Sequence, residues 1–439
     1  MKAFKCTFDI ILMLLTSSFY VSATEYRVFS VDTLETTLSE LELGDSIIMD
    51  PNGNWHDKEI NINVSGTADS RITISGGGQL IPISGTSVIT VNGSFIDLSD
   101  FKFSGETSTS TGVIHIHGDE VSLTDSVFDG IEGEGKWLSI SGRFANISHN
   151  VFENKNTKGQ ILTVWRPDSS PNFTKITANH FKNFADGRGE NGWEAIRIGT
   201  SHTSLSGSYS TVSGNLFESM NGEIELISLK SGHNKVRNNT VIGSKGLITS
   251  RHGNYNEFSD NIILANGVKH AGGFRLYGSH HVVKNNYIQG IRTTSNTRGG
   301  IVIHSGTNSP SDHSIPLSSK WTANNIIIED NTMIDSEQSI LFDNKYSFSP
   351  ENIVLENNVI IALSGKETIR IDSTPINSWW IGGVYEGVDA RYIDEINMVP
   401  TPSDESMFYS TMDGLLLHQH IGAHDLTRLY PSDVGRRSE

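Results

Sequence analysis

A short pattern of apolar and polar positions recurs through most of the chain. Each copy reads apolar, any residue, polar, Asn or Asp, any residue, apolar, as in Ile147 to Phe152 and Val212 to Phe217. Apolar residues alternate over only a few positions before Gly or Asn interrupts them, which is typical of short strands separated by turns. The asparagines that mark the successive copies are Asn150, Asn179, Asn215, Asn239, Asn261, Asn286, Asn331 and Asn358.

The spacing of these asparagines indicates the fold class. Neighbouring copies lie as few as 22 residues apart, and insertions lengthen only some of the intervals. A period in the low to middle twenties is typical of one coil of a parallel β-helix. We therefore predict an all-β, right-handed parallel β-helix, in which the asparagines stack as an internal ladder at a turn, where they themselves tolerate a left-handed backbone. An antiparallel sandwich with frequent turns is the alternative, but a sandwich does not require this register.

The two ends of the predicted solenoid differ from its middle. Leucines at helical spacing within Thr33–Leu43 predict a short amphipathic helix that caps the first coil and keeps it from pairing with other chains. No compositional break marks a linker, so we expect residues 24–439 to form a single β-helix domain. The repeat is lost after about Tyr385, where we expect a C-terminal cap packed along the coils.

The N-terminus has the composition of a secretory signal peptide. Lys2 and Lys5 supply positive charge, Ile10–Leu15 is apolar, and small residues follow, so we expect residues 1–23 to be removed. Cys6 is the only cysteine, and its position in this segment leaves the mature chain without a disulfide. These features predict a secreted or periplasmic protein. An ordinary buried N-terminal segment is the alternative.

The charge balance restricts the possible partners. The formal net charge is −17, which argues against nucleic acid as a partner. No stretch after the N-terminus is long and apolar enough to predict a membrane-spanning helix. If the substrate is anionic, the cations that bind it must be gathered in one place.

Three cations are candidates for such a cluster. Lys230, Arg251 and Arg275 lie at similar distances before the repeated asparagines, and each follows a residue expected to point inward. With strands about 4.8 Å apart, they are predicted to form a basic ladder about 10 Å long on three successive coils. Arg197 is a candidate for one further coil, although an insertion before Asn215 leaves its register open.

Two carboxylates precede the first of these cations. Glu223 and Glu225 share one face of a strand, and Lys230 joins them on that face if the chain turns a corner at Leu226 and Ile227. Two carboxylates with a nearby amide oxygen form a hard-oxygen site suited to Ca²⁺. A surface network that only balances charge is the alternative interpretation.

The motifs around these residues resemble those of polysaccharide lyase family 6, which contains alginate lyases and chondroitinase B. The resemblance is strongest over residues 191–287 and extends elsewhere only to the β-helix. The motifs are Asn191-Gly192-Trp193-Glu194, Glu223-x-Glu225-x4-Lys230, Arg251-His252-Gly253, Gly272-Gly273-x-Arg275-x-Tyr277-Gly278 and Asn285-Asn286-Tyr287.

The resemblance implies cleavage of an anionic polysaccharide by β-elimination. Lys230 would be the base that takes the C5 proton of a uronate, and Arg251 the acid that assists departure of the glycosidic oxygen. The C5 proton is only weakly acidic because the adjacent carboxylate resists further negative charge, so neutralising that carboxylate stabilises the intermediate. A lysine acts as a base only after its ammonium group has lost a proton.

The resemblance also implies a metal site. Asn191, Glu223 and Glu225 would hold Ca²⁺, which would neutralise the uronate carboxylate. Some members of the family work without Ca²⁺, so metal dependence is an expectation.

The remaining implied roles concern the substrate. Arg275 would bind a substrate carboxylate with Tyr277 beside it. Arg197 is a further candidate for substrate binding only because the repeat could place it on the same ladder. His252 would either orient the catalytic pair or be a structural histidine. Alginate is the expected substrate and dermatan sulfate the alternative. A non-catalytic carbohydrate-binding β-helix would not need the Lys–Arg pair, and a glycoside hydrolase would need paired carboxylates that the register does not provide.

Overall fold

The computed structural model describes residues 23–107, 112–309, 312, 314–363, 367–387, 398–399 and 407–437. Apart from residue 23, the expected signal peptide lies outside these residues. The chain winds as a parallel β-solenoid, in which each coil contributes a strand to each of three sheets in turn. The predicted all-β fold class is therefore confirmed.

The strands of the solenoid pair in parallel within three sheets, here called sheets 1, 2 and 3. Sheet 1 consists of Glu25–Ser30, Ser46–Asn54, Ile72–Ser75, Ile96–Ser99, Val121–Thr124, Asn146–Ser148, Lys175–Thr177, Thr211–Ser213, Lys235–Arg237, Glu257–Ser259, Val282–Lys284, Asn324–Glu329, Glu351–Glu356, Trp379–Ile381 and Met398–Val399. Sheet 2 consists of Ile81–Ile83, Phe101–Phe103, Val127–Asp129, Val151–Glu153, His180–Phe184, Leu216–Met220, Thr240–Ile242, Ile262–Leu264, Tyr287–Gln289, Thr332–Ser336, Val359–Ala362 and Val384–Tyr385. Sheet 3 consists of Glu59–Ile62, Val88–Val91, Ile114–Ile116, Leu138–Ile140, Leu162–Val164, Ile196–Gly199, Glu225–Lys230, Leu247–His252, Phe274–Leu276, Ile301–Ile303, Ile340–Phe342 and Ile369–Ile371.

The predicted N-terminal helix spans Val31–Glu40. Ser30 caps it, because its hydroxyl accepts a hydrogen bond from the Thr33 backbone N–H and so satisfies a donor that has no partner within the helix. Leu34 and Leu38 lie one turn apart and are both buried against the first coils. The helix thus covers the apolar end of the solenoid with its leucine face, as the sequence pattern predicts.

The predicted asparagine ladder is present and buried. In each step the side-chain amide of one asparagine donates to the Oδ1 of the next, as from Asn215 to Asn239 and from Asn239 to Asn261, both at 3.0 Å. The same Oδ1 accepts the backbone N–H of the preceding ladder residue. One detail differs from the prediction, because the left-handed backbone lies at the residue before each asparagine, such as Asn238 with φ of 53°.

The interior of the coils is filled by stacked side chains of like kind. On sheet 2 five phenylalanines from successive coils stack with ring centroids 4.5 to 4.8 Å apart, and they are Phe103, Phe128, Phe152, Phe181 and Phe217. Aliphatic residues continue the row at Val241, Ile263 and Ile288. Such regular stacking fixes the register of the coils, and the register in turn positions the polar side chains of sheet 3.

Residues 407–437, called here the C-terminal strap, cross the coils in the direction opposite to chain progression. The strap contains the antiparallel strands Phe408–Ser410 and Leu416–His418 and a 3₁₀ turn at Pro431–Asp433, and a second 3₁₀ turn elsewhere spans Ser201–Thr203. Its hydrogen bonds to successively earlier coils join Ala423 to Thr332, His424 to Asn285, Leu429 to Thr240, Gly435 to Ala178 and Arg437 to Asp125. In the described residues no helix is long and apolar enough to span a membrane.

Candidate functional site

The strand register of sheet 3 does not support a single ladder of cations. Arg275 pairs with Thr249, which pairs with Ser228 and then with Arg197, so the two arginines share one row. Lys230 belongs to a different row, two residues further along, where it pairs with His252. The predicted alignment of Lys230, Arg251 and Arg275 is therefore wrong, as is the extension of that ladder to Arg197.

An extra residue explains the error in alignment. The pairing between Glu225–Lys230 and Leu247–His252 shifts between Leu229 and Lys230, and Arg251 has no partner in the opposite strand. A bulge of this kind redirects a side chain and interrupts regular pairing. Lys230 and its partner His252 each lie nine residues before a ladder asparagine, so the counts of ten for Arg251 and eleven for Arg275 place these arginines in other rows.

The arginines nevertheless converge, because both reach the carboxylate of Glu225. Arg275 donates from Nη1 to Glu225 Oε1 at 2.9 Å, and Arg251 Nε lies 3.7 Å from the same oxygen. The other oxygen of Glu225 accepts the Ser228 hydroxyl at 2.5 Å. Glu225 is buried, and it is the shared counter-ion of the two arginines, which lie on the next two coils.

The predicted corner at Leu226 and Ile227 is a bulge within the strand. Glu225 pairs with Leu247 and Ile227 with Ile248, which leaves Leu226 without a partner. Both apolar side chains are buried. Two consecutive side chains therefore point inward, as predicted, but the chain stays within one strand of sheet 3 and does not turn a corner. The bulge also brings Glu225 close to Ser228.

Lys230 contacts a carboxylate that the sequence analysis did not select. Its Nζ lies 3.7 Å from Glu194 Oε1, and its side chain is 19% exposed whereas that of Glu194 is 1% exposed. The other oxygen of Glu194 accepts the Gln160 side-chain amide at 2.6 Å. The amine of Lys230 thus reaches the surface beside a fixed buried carboxylate.

Glu223 completes a group of three buried carboxylates. Its Oε1 accepts the backbone N–H groups of Gly192 and Trp193, each at 3.1 Å. Burial, together with the charges of Glu194 and Glu225, raises the pKa of Glu223 to about 8. The cluster thus carries more negative charge than its surroundings readily accommodate.

The predicted metal ligands are only partly assembled. Asn191 is exposed and directly precedes the two residues whose N–H groups bind Glu223, whereas Glu225 is engaged by arginine. Across the part of the chain that the structure describes, no group of three or more His, Cys, Asp or Glu side chains is arranged to hold a metal ion. The predicted set has one amide and two carboxylates, so its donor chemistry suits a hard cation such as Ca²⁺.

His252 is a buried neutral imidazole beside the cations. Burial, together with the charges of Arg251 and Lys230, lowers its pKa to about 3. Its Nδ1 is buried without a hydrogen-bond partner among the described residues. The ring is therefore uncharged near neutral pH, and its surroundings agree with a positioning or structural role.

Arg275 and Tyr277 belong to a chain of buried polar groups. Arg275 donates from Nη2 to the Tyr277 hydroxyl and from Nε to His304 Nε2, both at 3.0 Å. The His304 ring stacks on Tyr277 with centroids 4.0 Å apart, and its Nδ1 faces Asp343. Since Glu225 binds the same guanidinium, Arg275 would have to exchange one of these partners to bind a substrate carboxylate.

Three cationic side chains lie around the ring of Tyr277. The Cζ atoms of Arg251 and Arg275 lie 5.3 and 5.1 Å from the ring centroid, and Lys320 Nζ lies 5.9 Å from it. The pKa of Tyr277 is raised, chiefly by burial, so its hydroxyl stays protonated. Arg197 lies apart from this group, against the ring of Trp165.

The sequence profile of the chondroitinase B family matches residues 28–373. The chain belongs to the chondroitinase B family. No curated protein sequence matches it significantly. The resemblance to polysaccharide lyase family 6 stated from the motifs is thereby confirmed.

Solved structures of polysaccharide lyase family 6 share the fold of this chondroitinase B family member. The family 6 alginate lyase AlyGC superposes with a TM-score of 0.84 at 27% identity, and the match covers 94% of this chain and 59% of that one. A family 6 alginate lyase in complex with a trisaccharide gives 0.80 at 25% identity and covers 94% and 95% of the two chains. A mannuronic acid-specific family 6 lyase from human gut microbiota, at 24% identity and a TM-score of 0.75, shows likeness of fold alone.

Three residues of this site were not selected from the sequence. Glu194 lies within a quoted motif, and its place two residues before the strand Ile196–Gly199 matches that of Glu225 relative to Ile227. His304 and Asp343 each directly follow a strand of sheet 3, as Tyr277 does. A comparison of the coils could therefore have found His304 and Asp343 at the position just after a strand end, and Glu194 at the position two residues before the strand residue that pairs with Ile227.

Proposed function

We propose that this protein is a polysaccharide lyase that cleaves alginate by β-elimination. The observation that carries the proposal is the convergence of Lys230 and Arg251 beside one group of buried carboxylates, at the ends of neighbouring strands. Both side chains are partly exposed, at 19% and 14%, so each can reach a bound sugar. The relatives named as alginate lyases support the choice of substrate.

The proposed reaction includes two proton transfers, one from the sugar to Lys230 and one from Arg251 to the leaving oxygen. Neutral Lys230 Nζ takes the C5 proton, the electrons of that C–H bond form the C4–C5 double bond, and the bond between C4 and the glycosidic oxygen breaks. Arg251 donates a proton to the departing oxygen. Burial lowers the pKa of Arg251, which makes its guanidinium a better acid than one in water.

We propose that Asn191, Glu223 and Glu225 hold Ca²⁺ when the metal is bound. The raised pKa of Glu223 supports this role, because a buried group of carboxylates is stabilised by a cation. The bound ion would neutralise the uronate carboxylate. Glu225 would then divide its oxygens between the ion and the arginines that bind it.

Dermatan sulfate is the second candidate substrate. The family profile that matches the chain carries the name of chondroitinase B, and dermatan sulfate also contains a uronate whose C5 proton can be removed. The same Lys–Arg pair would carry out both reactions. We also propose that the protein is exported, on the basis of its N-terminal composition.

A digest experiment tests the proposal. The purified mature chain is incubated separately with polymannuronate, polyguluronate and dermatan sulfate, and products are followed by the ultraviolet absorbance of the unsaturated uronate and by mass spectrometry. Unsaturated products from alginate blocks are expected. A saturated product from every substrate, or no product, would refute the lyase assignment.

A further inference from the structure

A second group of cations lies on sheet 3, two coils before Lys230. Trp165 directly follows the strand Leu162–Val164, and Val164 pairs with Ile198, so Trp165 lies level with Gly199. Gly199 in turn pairs with Lys230. Trp165 and Lys230 therefore occupy the same row, about 10 Å apart along the solenoid.

The row between Trp165 and Lys230 has no side chain. Gly199 has a φ of 86°, and a Cβ atom there would lie 2.7 Å from the Lys230 carbonyl oxygen. A residue with a side chain is thus excluded by both conformation and space. Only backbone therefore lies between Trp165 and Lys230 in this row.

The indole of Trp165 lies between two cations from the adjacent coils. Lys136 Nζ is 5.1 Å from the ring centroid and Arg197 Cζ is 4.8 Å from it. Cation–π attraction holds charged groups at such distances and fixes their positions. Trp165 therefore keeps two positive charges close together at a partly buried place.

An anion bound beside Lys136 and Arg197 would be stabilised by both of their charges. Burial lowers the pKa of Lys136, and the neighbouring Arg197 lowers it further. The Nε of Arg197 is buried without a hydrogen-bond partner in the described part of the chain. The carboxylate of Glu194, whose charge acts to raise the pKa of Lys136, also lies 3.7 Å from Lys230 Nζ and accepts a hydrogen bond from Gln160.

We propose that Lys136, Trp165 and Arg197 form a subsite that binds the carboxylate of a uronate ring two coils from the cleavage point. The inference rests on the proposed lyase function for its substrate. Arginine presents two donors to a carboxylate and lysine supplies a point charge, while the edge of the indole contacts the apolar part of a pyranose ring. Only an oligosaccharide long enough to reach from Lys230 to Trp165 uses this subsite.

Kinetics on oligouronates of increasing length test the subsite. We expect Lys136→Met to raise KM on long substrates by about tenfold or more, because one charge-assisted hydrogen bond is lost. The loss should grow with substrate length, so the advantage of long over short substrates in kcat/KM should fall by a similar factor. Trp165→Leu should have the same effect, because both cations lose their support.

Lys175→Met is the matched control. Lys175 belongs to the same coil as Trp165 but is exposed on sheet 1. This variant should show the kinetics of the wild type at every length. Wild-type values for Lys136→Met at every length, or an equal loss at all lengths, would overturn the subsite.

Calorimetry with saturated polyuronate separates the subsite from the lyase assignment. Weaker binding by Lys136→Met than by Lys175→Met supports the subsite even if the wild type forms no unsaturated product. Equal binding by the two variants overturns the subsite even if the wild type is an active lyase. Thermal unfolding of each variant shows that the fold is retained.

Discussion

Replacing Asp343 with asparagine should weaken catalysis through a change of tautomer. One oxygen of Asp343 accepts the Ser305 hydroxyl and the Lys345 backbone N–H, and the other faces His304 Nδ1. An asparagine that keeps its oxygen toward the first two donors turns its amide N–H toward His304. The imidazole must then carry its proton on Nε2, where it opposes the N–H of Arg275.

The size of the effect follows from the bond that is lost. Arg275 donates to His304 at 3.0 Å in a fully buried setting, and hydrogen bonds to charged groups contribute about 1.5–3 kcal/mol. If Arg275 stabilises the transition state, kcat/KM should fall about 10- to 100-fold. His304 stays neutral throughout, because burial holds its pKa well below the ordinary value.

The assay compares Asp343→Asn with Asp372→Asn in steady-state cleavage of alginate. Asp372 also binds an arginine of sheet 3, Arg370, but has no link to Arg275. The control should therefore keep wild-type kcat/KM. A folded Asp343→Asn variant with kcat/KM within about twofold of the wild type would show that the tautomer of His304 does not matter.

Three further outcomes are expected. Lys230→Ala and Arg251→Ala should fold normally and form unsaturated uronate about 100-fold more slowly or worse, whereas the control Lys175→Ala should keep the wild-type rate. Substantial activity in Lys230→Ala or Arg251→Ala would contradict the role assigned to that residue. Chelation with EDTA should lower activity and added Ca²⁺ should restore it, and unchanged turnover after thorough chelation would remove the metal from the reaction. Asn239→Ala should lower the free energy of unfolding by about 2–6 kcal/mol in denaturant titration, because it leaves buried ladder groups unpaired, and a change below about 1 kcal/mol would show that the ladder adds little.

The fold was predictable because one residue type, asparagine, marks eight successive coils. A buried asparagine must satisfy its amide, and stacking on its counterpart in the next coil does so with the same bonds each time. The sequence therefore repeats the asparagine wherever the ladder continues. The left-handed residue was predicted one position too late. The residues that adopt this conformation, such as Asn238, Asp260 and Ala178, are of different types, so no repeated side chain marks their position.

The site was less predictable because local irregularities decide it. The bulge at Arg251 depends on how two strands pair, and the periodicity of either strand alone does not reveal it. The sequence also did not show that Glu225, which was selected as a metal ligand, lies beside two arginines. His304 and Asp343 lie in coils separated from Tyr277 by insertions, so only the strand register brings the three together.

The C-terminal strap changes how such a molecule loses its structure. In a plain solenoid each coil touches only its neighbours, so an end coil can detach without disturbing the rest. Here residues from Ala423 to Arg437 hydrogen-bond to coils from Thr332 back to Asp125, so fraying of the last coils first requires release of the strap. Unfolding should accordingly become a more cooperative event, and the coils must already be wound before the strap can dock.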